Sequence, residues 1–291
     1  MTATDTAAGE VTLEVDRAEY VARITLRRPE AQNLMTAAMA AQLCSHLDAV
    51  EEDDDIKVVV IAGEGDHLSA GWDPQEAWDQ YLTAPGGAVR KHPSQRARLL
   101  ALDENWWGPR GLYSRVLRCT RVTILQAHGM CYETGLYLAL CSDLVVAGDD
   151  ARFGCPRWHN VGVDGDLALL IATVGLKRAK ELMFGNIAWS AVRAREYGLV
   201  DDVAHDVSAT AADLASMCAS IMRDGIVTEK FAVFASLEKM GVGQSFAAAT
   251  VVGASLSNLV FQPGEYNFLK DLRDNGPSAA LARSRENLRV E

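Results

Sequence analysis

The sequence predicts an α/β fold of parallel βαβ units. Two runs rich in β-branched residues, Lys57–Ala62 (KVVVIA) and Val122–Ala127 (VTILQA), are apolar at nearly every position. That is the mark of strands covered on both faces. A helical pattern precedes the first run, while another helix and a further strand, Asp143–Ala147 (DLVVA), follow the second. Such alternation favours parallel strands joined by helical crossovers.

In chain order, Val11–Val15 and Tyr20–Leu26 flank the polar Asp16–Glu19 and predict an opening hairpin. Arg27-Arg28-Pro29-Glu30 ends the second strand. Thr36 is placed to cap a helix running through Glu51, with Met39, Leu43, Leu47 and Val50 at helical spacing. The strand Lys57–Ala62 closes in the turn Gly63-Glu64-Gly65. Residues 74–110, polar and broken by Pro85-Gly86-Gly87, read as a helical excursion over the domain. His128-Gly129 leads from a strand into a helix from Glu133 to Cys141. From Leu167 onward the pattern is almost entirely helical, with a short strand at Leu199–Val203. The tail helices (Ser208–Arg223, Lys230–Lys239 and the stretch after Gly243) include an alanine-rich segment, Phe246–Leu259, that has little core left to cover. It is expected to meet another subunit. The division is thus a flexible tail over 1–10, a core over 11–205 and a helical oligomerisation segment over 206–291.

Composition excludes some classes. The 291 residues carry a net charge of −11 with no Lys/Arg block, which argues against nucleic acid. A few local arginines still suffice for an anionic substrate. Cys44, Cys119, Cys131, Cys141, Cys155 and Cys218 are scattered without metal spacing and read as reduced core thiols. The first ten residues lack the features of a signal peptide. No apolar run reaches the roughly 20 residues that span a bilayer. The expectation is a cytoplasmic protein with no membrane partner and no metal.

Two segments suit chemistry. Ser69-Ala70-Gly71-Trp72-Asp73 follows a buried strand, and its small residues let a backbone N–H approach a ligand closely. The helix beginning near Glu133–Gly135 presents unpaired N–H groups and a positive dipole end. Two such N–H groups converging on one point make an oxyanion hole. Taken singly, each is equally an ordinary strand-exit turn.

Together they lie in an ordered set: Arg28-Pro29-Glu30-Ala31-Gln32-Asn33-Leu34-Met35, Val58–Gly63, Ser69–Asp73, His128-Gly129, Glu133–Asp143, Ala151-Arg152-Phe153-Gly154, Val174–Ala179 and Ala194–Asp201. This set resembles the enoyl-CoA hydratase/isomerase (crotonase) superfamily over about residues 11–205. The resemblance implies a crotonase-type spiral of βαβ units with a helical C-terminal tail, forming a homotrimer or dimer of trimers. It implies an acyl-CoA substrate, with coenzyme A as part of the substrate and no separate cofactor. It also implies that the N–H groups of Trp72 and Thr134 form the hole. Thr134 falls where the family has the middle glycine of a triple-glycine run, which here reads Glu133-Thr134-Gly135.

Both hydratase glutamates are replaced. The first position is Tyr137; the second is Arg157 by ungapped counting, or Trp158 with one residue inserted. A different acid is available in Asp166. The Trp158–Asp166 spacing resembles the segment of the 4-chlorobenzoyl-CoA dehalogenases in which the aspartate is the nucleophile. The Trp158 indole N–H would hold one oxygen of that carboxylate, although Asp166 is also suited to cap the helix that follows. Those dehalogenases also place a histidine after a Trp-Trp pair, whereas Trp106-Trp107 is followed by Gly108, which argues against dehalogenation. Asp166 and Tyr137 are therefore the candidate catalytic side chains. Trp106, Trp107, Arg157, Trp158 and His159 are candidates for the substrate pocket. Asp164 is a substitute for Asp166, His67 is expected to be exposed, and Arg27-Arg28 reads as a solvated pair that could meet a coenzyme A phosphate. The expected function is acyl-CoA processing through enolate stabilisation. The alternatives are a carbon–carbon or thioester hydrolase of a cyclic or β-keto substrate, and a catalytically silent acyl-CoA-binding paralogue.

Overall fold

The computed structural model describes residues 9–76, 94–163, 165, 167–255 and 260–291. Its strands are β1 (Glu10–Asp16), β2 (Val21–Arg27), β3 (Val58–Gly63), β4 (Val122–Ala127), β5 (Met130–Tyr132), β6 (Leu144–Gly148), β7 (Arg152–Gly154), β8 (Ile187–Ser190), β9 (Asp202–Ala204) and β10 (Arg289–Val290). A six-stranded sheet runs β1-β2-β3-β4-β6-β9. The opening hairpin is its antiparallel edge, in the register Val11↔Leu26 and Leu13↔Ile24, and the remaining neighbours are parallel.

The helix Ala37–Glu51 starts where the cap was expected, the Thr36 hydroxyl accepting from the Met39 N–H at 3.1 Å. It buries Met39, Leu43, Leu47 and Val50 against the sheet. The continuous apolar run of β3 has a simple cause. Val59 and Ile61 belong to the main core cluster that also holds that helix's apolar face, while Val58 and Val60 belong to a second cluster with Ala211, Ala215 and Cys218 of the helix Val207–Ala219. Each such side chain contributes roughly 1.5–3 kcal/mol on burial.

Three expectations need correction. A second, four-stranded sheet of order β10-β8-β7-β5 lies beside the first and was not read from the sequence. Its strands are two to four residues long, too short for an alternating pattern to show. The alanine-rich segment does have core of its own chain to cover: Phe246, Ala249 and Ala254 of the helix Val242–Ser255 are buried in the main cluster. Residues 256–259 lie outside the described residues. Finally, the strand placed at Leu199–Val203 forms as β9, slightly later in the chain.

No disulfide joins the six cysteines, and all but Cys44 are buried. Burial pushes the Cys44 thiol up to about 11 and the Cys119 thiol up to about 12. Among the described residues no helix is long and apolar enough to cross a membrane, and no group of His, Cys, Asp and Glu could hold a metal.

The two sheets exchange the chain repeatedly: β4 passes to β5, the helix Thr134–Cys141 returns to β6, and β6 passes to β7. The β4–β5 step turns at Gly129, with φ +54°, where a Cβ would lie 2.0 Å from the Asp66 carbonyl oxygen. Only glycine fits that approach.

Candidate active site

The loop after β3 is bonded along both edges. On one side, Leu68 N–H donates to His128 O (2.9 Å), Ser69 N–H to Met130 O (3.0 Å) and Tyr132 N–H to Ser69 O (2.9 Å). On the other, Met35 N–H donates to Gly71 O (2.8 Å) and Asp73 N–H to Met35 O (2.9 Å). Gly71, at φ +117°, makes the turn that leaves the Trp72 N–H facing away from this ladder. Behind the loop, Arg28 is 4% exposed and donates to Asp73 Oδ2 at 2.6 Å and to Leu34 O at 3.1 Å. Arg28 is therefore not solvated, as the sequence suggested, but the cation of a buried pair. Arg27 is exposed and paired with Glu64 at 2.7 Å. His67 is half-buried rather than exposed, its Nδ1 accepting from the Met130 N–H.

The Trp72 N–H donates to Glu133 Oε2 at 3.2 Å. Here the protein's own carboxylate oxygen stands where a substrate oxyanion is expected. Glu133 is held by its N–H on Gly154 O (2.9 Å) and takes φ +47°, a conformation that favours glycine. The next residue, Thr134, opens the helix Thr134–Cys141, and its N–H has no acceptor among the described residues. Its hydroxyl accepts from Tyr113 Oη at 3.3 Å. Trp72 and Thr134 line one narrow cleft.

Aromatic rings fill that cleft. Trp107 lies 4.4 Å from Tyr113 and 4.9 Å from Tyr137, and Trp106 meets Trp72 edge-on at 5.8 Å. Gly253, from the helix Val242–Ser255, and Arg157 complete the wall, leaving about 30 Å³. That is room for a water or two. The Arg157 guanidinium sits 5.4 Å over the Trp72 ring. The Trp158 indole N–H donates to the Tyr137 hydroxyl at 3.1 Å. His159 lies elsewhere, lining a cavity of about 640 Å³ with Trp158, Tyr266 and Arg283. Asp166 and Asp164 lie outside the described residues. Gly165 between them is buried, and a Cβ there would come within 2.5 Å of Tyr137 Oη.

The enoyl-CoA hydratase/isomerase family profile matches residues 16–274. The chain belongs to this family. It is similar to the 2,3-dehydroadipyl-CoA hydratase of Escherichia coli (strain K12), 32% identical over 194 residues that cover 66% of this chain and 68% of the relative. It is also 29% identical over 194 residues to the 4-chlorobenzoyl coenzyme A dehalogenase-2 of Arthrobacter sp, covering 66% and 65% of the two chains. A crystal structure of enoyl-CoA hydratase from Mycobacterium smegmatis superposes with a TM-score of 0.80 at 25% identity, covering 95% of this chain and 93% of that one. The crotonase fold with two mixed sheets and C-terminal helices is thus shared.

Trp72, Trp106, Trp107, Thr134, Tyr137 and Arg157 all line the same cleft of this family member. Trp158 joins them through Tyr137, whereas His159 does not face the cleft. Sequence reasoning did not assign a role to Glu133. Its signal was available: a glutamate at the first position of what is a triple-glycine run in the family, at a point where the backbone takes a positive φ.

Proposed function

We propose that this family member processes an acyl-CoA thioester by holding its enolate oxygen on the N–H groups of Trp72 and Thr134. The observation that carries the reading is a Trp72 N–H bonded to a carboxylate oxygen and a Thr134 N–H without an acceptor among the described residues, on two residues that line one cleft. Two donors aimed at the developing charge supply about 3–4 kcal/mol each. Asp166 serves as the proton-transfer group or nucleophile, and Tyr137 acts beside it. Coenzyme A enters as part of the substrate. Named acyl-CoA substrates among the relatives support that class. A crystal structure with a bound acyl-CoA is the direct test. The thioester oxygen is expected about 3 Å from both N–H groups, and an oxygen bound elsewhere would end the reading.

Carbon–carbon bond hydrolysis of a β-keto or cyclic acyl-CoA is the second reading. Tyr137 and Arg157 at the two hydratase positions favour it, because water attack on a carbonyl needs the same hole without the glutamate pair.

Assembly as a trimer or dimer of trimers belongs to the same proposal. Phe231, Met240 and Val251 of the tail helices are 59%, 61% and 62% exposed and would be covered there. Sedimentation is expected to give a multiple of three chains. A stable monomer at micromolar concentration would contradict it.

A further inference from the structure

Resting on that reading, we infer that Glu133 determines specificity: its carboxylate holds the anion seat and favours acyl thioesters with an acidic α-carbon over neutral ones. The Glu133 carboxylate is 3.2 Å from the Trp72 N–H and lies against Gly71, where a Cβ would come within 2.6 Å of Oε2. No substrate oxygen can use the Trp72 N–H until this oxygen leaves. Glu133 is 7% exposed, so the contact is made away from bulk water.

The exchange has a sign. A hydrogen bond to a carboxylate is about twice as strong as one to a neutral acceptor. A neutral thioester carbonyl that displaces Glu133 therefore replaces a charge-assisted bond with a weaker one. The oxygen of an enolate restores the charge-assisted bond, provided that the Arg157 guanidinium neutralises the displaced carboxylate. A 1,3-dicarbonyl thioester, which gives up its α-proton to solvent water and spreads the charge over two oxygens, is the acyl class this competition favours. The displaced carboxylate has a destination in Arg157, whose Nε is 3.6 Å from Oε2 and whose side chain is 15% exposed. Arg157 and Trp72 line both the aromatic cleft and a smaller cavity that Glu133 also lines, so the two residues that the carboxylate touches are shared with the cleft.

The test compares butyryl-CoA with acetoacetyl-CoA by calorimetry on the wild-type protein, Glu133→Gly and Glu133→Gln. Glycine suits the φ of +47° at this position, and Gln keeps the side chain's size without its charge. The wild type is expected to bind acetoacetyl-CoA at least ~10-fold more tightly than butyryl-CoA. Glu133→Gly is expected to tighten butyryl-CoA at least ~10-fold and to narrow the preference, with Glu133→Gln falling between. Thermal melts check that each variant is folded. Binding of butyryl-CoA that is unchanged or weaker in both variants overturns the inference and leaves the acyl-CoA reading intact. If neither ligand binds any of the three proteins, the acyl-CoA reading falls, and this inference falls with it.

Discussion

Asp166→Asn is expected to lower turnover at least ~10²-fold on any acyl-CoA the protein processes, while stability changes by less than ~1 kcal/mol. The two readings of Asp166 separate cleanly in this substitution. Asn and Asp cap helices about equally well, so a residue that only caps the helix Leu167–Val174 would leave both quantities nearly unchanged. A general base or nucleophile loses its basic lone pair and with it the chemical step. The neighbouring Gly165 supports the catalytic reading. It is buried against the Tyr137 ring, and Tyr137 lines the cleft that Trp72 and Thr134 share. Rate and melting temperature should be measured together on wild type and variant. Full activity in Asp166→Asn would move the search to Asp164, Tyr137 and His159.

Hydration of crotonyl-CoA is expected to be weak, at least ~10²-fold below an ordinary enzyme rate of about 10 s⁻¹. Alkene hydration needs one carboxylate to activate water and an acid to deliver the α-proton. Where the resemblance puts the first hydratase glutamate the structure has Tyr137, 3% exposed and packed among Trp107, Tyr113 and Trp158. At the second it has Arg157, stacked on Trp72, and the adjacent Trp158, whose N–H is on Tyr137. None of these supplies a carboxylate. A missing acid or base costs ~10²–10⁴-fold. Turnover of crotonyl-CoA at 10 s⁻¹ or faster, on the order of a typical enzyme, would show that another carboxylate takes over, and Glu133 would be the first to replace.

The long elements were legible because their patterns repeat. Thr36 and the four apolar residues after it defined the helix Ala37–Glu51, and the runs at β3 and β4 marked buried strands. The second sheet was not legible, since two to four residues cannot display a period. The Arg28–Asp73 pair was hidden for another reason. Charged residues default to solvent, and the pairing joins positions 45 residues apart. In the site, the two candidate N–H donors could be placed by the family's motif order, because backbone needs no particular side chain. What Glu133 does with its carboxylate depends on where Gly71 and Arg157 stand, and a linear sequence does not give that.

Arg285 follows the helix Pro277–Ser284 near the end of the chain, yet its guanidinium donates to the Ala70 carbonyl at 2.9 Å, one peptide before Gly71. Arg285 is half-buried, and that burial lowers its pKa from the ordinary value, with Glu133 and Tyr132 opposing. Contacts that close so long a stretch of chain form late, since the entropy of closure must be met first. During synthesis the six-stranded sheet, whose strands lie between Glu10 and Ala204, can therefore assemble before Arg285 is made. The wall behind its Gly71 turn is completed only after Arg285 has left the ribosome.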